Sequence, residues 1–132
     1  MSTRITDAGG FSGKPTVLIL SSDAVAAALL GALVETLGYP IQFQQLPESA
    51  VDTLRRVRAS VALVDCIDAA VANDEFLGRA HMRGVSVIVF GSAEALRGAR
   101  QLAAAHSLDE LLMPANLQAL DKALRRAAAR SG

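Results

Sequence analysis

Residues 60–68 read SVALVDCID, an apolar run from Val61 to Val64 that stops at the carboxylate of Asp65. The run has the length and β-branched content of a buried strand, with a charged group where the strand emerges. Asp65 is therefore either a reactive group or the point at which a strand meets water. Its neighbour Cys66 is the sole cysteine of the chain. With no histidine close in sequence to activate it, Cys66 reads as a small buried apolar group. One cysteine also excludes an intramolecular disulfide and any multi-cysteine zinc site. His81 and His106 fall at polar helix ends, where an isolated histidine faces solvent or complements the helix dipole. AGGFSGKPT, residues 8–16, imitates a phosphate loop, but Ala8 stands at the first glycine and Pro15 at the hydroxyl position. It also precedes a strand, where a phosphate loop must follow one to wrap its amides around phosphates. We reject it as a phosphate site.

The elements that must position Asp65 follow from the pattern on either side of it. Apolar runs begin near Thr16, Ile41, Val61, Val85 and Leu111, and helical patterns follow each of them. Ser22 or Asp23 can cap a first helix that places Val25, Leu29, Leu30, Leu33 and Leu37 on one stripe and stops at Gly38. The second turns Val51, Leu54 and Val57 inward, with Arg55, Arg56 and Arg58 on a solvated face. The third, NDEFLGRAHMRG, ends at Gly84. The fourth, AEALRGARQLAAAH, is capped by Ser92 and weakened at its middle by Gly98. The fifth is capped by Asn116 and buries Leu117, Leu120 and Leu124.

Five strand–helix units predict one α/β domain, a five-stranded parallel sheet with five helices on its two faces. IQFQQL alternates as an edge strand does; TVLIL, VALV and VSVIVF are continuous, as buried central strands are. That is the flavodoxin-like order 2-1-3-4-5, whose sites lie at the carboxyl ends of strands 1 and 3. Asp65 falls at such a place.

Composition narrows the function further. A chain of 132 residues has room for one domain with a real core. Thirteen basic residues balance thirteen acidic ones, so there is neither a nucleic-acid footprint nor a polybasic membrane patch. Aromatic residues at 4% are too few for base-stacking platforms. The longest apolar stretch, Ala24 to Val34, is too short to span a bilayer. Residues 1–14, polar and glycine-containing, read as a flexible leader without a signal peptide's apolar centre. A cytoplasmic protein is expected, and the excess of arginine over lysine suits a bacterial source.

Size, the five-unit pattern and the aspartate ending the third strand resemble the response-regulator receiver (CheY-like) domain over residues 15–130. In that family the aspartate accepts a phosphoryl group. The resemblance implies an acidic pair after strand 1 that holds Mg²⁺, a Ser/Thr ending strand 4 and a Lys-Pro pair ending strand 5. Such a set is physically required, because transfer onto a carboxylate gathers negative charge that Mg²⁺ and a lysine must neutralise. Here the acidic pair falls on Ser21 and Ser22, with Asp23 one position late. The Ser/Thr falls on Gly91, with Ser92 next; the lysine falls on Met113, with Pro114 retained; the aromatic switch falls on Glu110. One carboxylate and two hydroxyls are a poor shell for a hard octahedral ion.

The chain therefore resembles a degenerate receiver. Gly91 after VIVF, and MP followed by ANLQALDKALRRA, are similar to the N-terminal domain of FleQ-type flagellar transcription activators. This resemblance implies a regulatory, protein-interaction or dimerisation module with no catalytic role, no metal and no cofactor. Its partner would be a protein or a second copy, without direct contact to nucleic acid or membrane. The expected interface draws on Ala95, Arg100, Ala103, Glu110, Leu112 and Arg125, around the fourth helix, fifth strand and fifth helix. Two rival readings stand beside it. One is a phosphoacceptor receiver with a displaced metal site at Asp23, Asp65 and Asp68. The other is a small-ligand binder at the same crevice.

Overall fold

The computed structural model describes residues 13–131. Five strands form one parallel sheet in the order β2-β1-β3-β4-β5: β1 (Val17–Leu20), β2 (Ile41–Phe43), β3 (Val61–Asp65), β4 (Ser86–Gly91) and β5 (Asp109–Leu112). The predicted fold and strand order are observed. β1, β3 and the middle of β4 are buried along their length, whereas β2 and β5 are the half-open edges. Continuous Val/Ile/Leu runs suit strands covered on both faces, and this is what makes β3 stop abruptly at its carboxylate.

The helices are α1 (Ala24–Thr36), α2 (Ala50–Arg56), α3 (Asp74–Met82), α4 (Ala93–Gly98), α5 (Arg100–Ala105) and α6 (Leu117–Arg130). Six helices replace the five expected because the fourth breaks at Ala99, immediately after Gly98, the residue predicted to weaken it. α1 and α6 cover one face of the sheet around Ile19, Leu63 and Phe90. α2 to α5 cover the other around Leu18, Val64 and Val89.

α1 corrects the expected stripe. Leu30, Gly31 and Val34 are buried, Leu33 and Leu37 pack at the margin, and Val25 and Leu29 are 78% and 52% exposed. The helix is apolar around most of its circumference, so its seat is decided by contact. A β-carbon on residue 31 would lie 2.9 Å from the Phe43 ring and 3.2 Å from the Ile41 side chain, so Gly31 lets α1 approach β2 closely. Leu117 is likewise turned outward, and α6 buries Leu120, Leu124 and Ala127 instead.

Most of the expected leader lies outside the described residues. Lys14, its last residue, is tied to the domain: its Nζ donates to the Leu37 carbonyl at 2.9 Å and stands 4.7 Å from the centre of the Tyr39 ring. Among the described residues no helix is long and apolar enough to cross a membrane.

Candidate functional site

Asp65 ends β3 with only 6% of its surface exposed, at the carboxyl end of the sheet between β1 and β4. A buried carboxylate requires hydrogen-bond donors, and two supply them. Ser21 Oγ donates to Oδ2 at 2.7 Å, and the Ile67 backbone N–H donates to Oδ1 at 3.2 Å. Ser21 Oγ in turn accepts from the Asp23 N–H at 3.0 Å. Ser21 is thus joined directly to Asp65, whereas its neighbour Ser22 is exposed.

The other carboxylates do not join it. Asp23 is the N-cap of α1, its Oδ1 accepting from the Val25 and Ala26 N–H groups at 3.0 and 3.1 Å. Asp68 caps the following turn by accepting from the Ala70 N–H at 3.1 Å. Both side chains satisfy local backbone donors, the task at which short acidic residues excel. Among the described residues no group of three or more His, Cys, Asp or Glu side chains could hold a metal ion.

Gly91 ends β4 next to Asp65, and the space above it is filled. A β-carbon there would lie 2.5 Å from Cys66 Sγ and 3.3 Å from the Ala95 methyl. The sulfur of the residue after Asp65 thus stands where a side chain at position 91 would project. Burial, and next the charge of Asp65, push the Cys66 thiol above its ordinary pKa. It remains a thiol and not an activated thiolate. Ser92, beside Gly91, is the N-cap of α4, its Oγ accepting from the Ala95 N–H at 3.1 Å. Met113 is bound to the end of β4 through its backbone, its N–H donating to the Gly91 carbonyl at 2.8 Å, and its side chain packs against the apolar cluster under α1 and α6.

The expected interface residues separate. Arg100 and Glu110 are exposed, and Leu112 is 56% exposed on the β5 edge. Ala95 is half-buried against Gly91. Ala103 is a correction: it is 5% exposed and belongs to the core, because α5 turns its alanine inward. Arg125 is exposed on α6, where it pairs with Asp121 at 3.0 Å.

The pairing of Cys66 with Gly91 was not visible in the sequence, where the two residues are simply small. Their separation in the chain hides a contact that only adjacent parallel strands create.

No protein-family model and no curated protein matches the chain. Among solved structures it is similar to the signal receiver domain of a modulated diguanylate cyclase from Desulfovibrio desulfuricans. The identity is 26% and the TM-score 0.70, over 89% of this chain and 96% of that one. It is similar to a protein from Burkholderia pseudomallei described as related to pilus assembly, at 26% identity and TM-score 0.65, over 91% and 93% of the two chains. It is similar also to the receiver domain of a sensor histidine kinase from Pseudomonas aeruginosa, which holds a magnesium ion in its active-site cleft. There the identity is 23% and the TM-score 0.69, over 88% and 98%. The domain has the receiver fold.

Proposed function

We propose that this domain is a regulatory module of two-component type that acts through protein–protein contact and does not read phosphorylation at Asp65. One observation carries the reading: the space at Gly91, where a hydroxyl would contact a phosphoryl group, is filled by Cys66 Sγ. Three others support it. Asp65 is held by Ser21 and the Ile67 amide. Asp23 and Asp68 cap local turns. Met113, at the place the resemblance gives to a lysine, packs its side chain against the apolar cluster under α1 and α6 and offers no ammonium to a transferred group. Without Mg²⁺ and a cation, phosphoryl transfer onto a carboxylate loses its main electrostatic support.

The output surface in this reading is the side formed by α4, α5, β5 and α6, on which Arg100, Glu110 and Leu112 are exposed. The finer reading is a degenerate receiver at the N-terminus of a larger FleQ-type activator of flagellar genes, self-associating through that side. It rests on Gly91 and on the Met113-Pro114 pair.

The test is incubation with acetyl phosphate and Mg²⁺, followed by intact mass and amide NMR, on wild type and Asp65→Asn. No mass increment in either protein, and no Mg²⁺-dependent shift at Ser21 or Asp65 at millimolar Mg²⁺, is expected. The rival reading, phosphoryl acceptance, draws on the burial of Asp65 at the carboxyl end of β3. A stable phosphoryl increment confined to wild type, with shifts spreading into α4, would establish that rival.

A further inference from the structure

We propose that a cleft between α3 and α5, at the amino-terminal end of β4 and thus at the opposite end of the sheet from Asp65, binds a small ligand bearing a carboxylate or phosphate group. The cleft encloses about 490 Å³, a size that holds small ligands. Its origin is local. α5 brings only Ala105 and the half-buried His106 to this wall, and the chain then turns through Ser107 in the left-handed region, φ 53°. The facing wall is Leu77 and His81 of α3, and Val85 and Ser86 lie beneath.

The polar groups around this space are hydrogen-bond donors that the protein leaves largely unused. Among the described residues, the ring of His81 and the hydroxyls of Ser86 and Ser107 make no hydrogen bond. His106 engages Asp74 through Nε2 at 2.7 Å, and its Nδ1 has no protein partner among the described residues. Arg130, from the last turn of α6, gives one guanidinium nitrogen to Asp109 and keeps the others. Those two ion pairs fix His106 and Arg130 at the rim, and no carboxylate belongs to the lining itself. Hydroxyl, guanidinium and imidazole donors converging on one space match the oxygens of an anion, with Leu77 and Val85 offering contact to an apolar body. Half-buried Ser86 in particular gains a partner it lacks, and an unmet buried hydroxyl is costly.

The inference is independent of phosphorylation at Asp65, since the two places share no residue. The experiment is an amide NMR titration of the 132-residue chain with inorganic phosphate and, separately, with citrate. Saturable shifts at His81, Ser86, His106 and Ser107, half-complete at or below about 1 mM for either probe, are expected. The probe that saturates names the chemistry. Ser86→Val and His81→Ala should each weaken binding at least several-fold. Arg130→Gln, exposed at the end of α6, keeps the comparison sound if Ser86→Val disturbs β4. Shifts that fail to saturate with both probes, that gather around Ser21 and Asp65, or that persist unchanged in the variants would overturn the proposal.

Discussion

The sulfur of Cys66 occupies the space in which a side chain on residue 91 would stand, 2.5 Å from the position of its β-carbon. Residue 66 follows β3 and residue 91 ends β4, and the two strands are neighbours in register, with Asp65 opposite Phe90. The pair is therefore matched: a thiol beside the buried aspartate and an absent side chain facing it.

Gly91→Ser should destabilise the domain by about 1–2 kcal/mol, the scale of inserting atoms into filled space. Cys66→Ala should recover most of that loss in the double variant, since removing the sulfur reopens the space. Urea unfolding of the four proteins of the cycle measures the coupling. Additive effects would show that the two residues do not share one volume.

Glu48 carries the clearest pH dependence. Arg56, the Gln45 N–H and the Thr53 hydroxyl all bond to its carboxylate, holding its pKa at about 2 against an ordinary value of 4.5. A depressed carboxylate contributes stability that is complete above its unfolded pKa and lost as pH falls through its folded one. Wild type should thus weaken between about pH 4.5 and about pH 2, and Glu48→Gln should flatten that part of the curve. Urea midpoints across this window decide it; equal slopes for both proteins would refute the assignment.

Gly98 lies at the break between α4 and α5, and a β-carbon there would meet nothing within 4 Å. Gly98→Ala should stabilise the protein by about 0.5–1 kcal/mol, because alanine restricts the unfolded chain and favours helix. A thermal melt showing no gain would mean that the break depends on something other than glycine.

Leu112 and Arg100 lie exposed on the β5 edge and at the start of α5. If the side formed by α4, α5, β5 and α6 self-associates, Leu112→Glu with Arg100→Glu should convert dimer to monomer in light scattering, by placing repelling charges on it. A wild-type protein that stays monomeric at high concentration removes this interface from the proposed function.

Much of the molecule was legible from sequence for a local reason. Strand and helix periods, the caps at Asp23, Ser92 and Asn116, and the stops at Gly38 and Gly84 depend on residues within a few positions of one another. Five such units admit few arrangements, so the strand order and the place of Asp65 followed. The residue types at Ser21, Gly91 and Met113 were also plain, because identity at a position needs no coordinates.

What tertiary structure alone decided was contact. α1 is apolar nearly all round, so periodicity could not say that Leu30 and Val34 are buried while Val25 and Leu29 face outward; Gly31 against Phe43 sets that. Ala103 looked like a surface residue until the helix broke at Ala99 and turned it inward. The matching of Cys66 to Gly91, and of His81 to Ser107 across one cleft, joins residues far apart in the chain. Local energies choose the elements, but only packing between elements determines which side chains share a space.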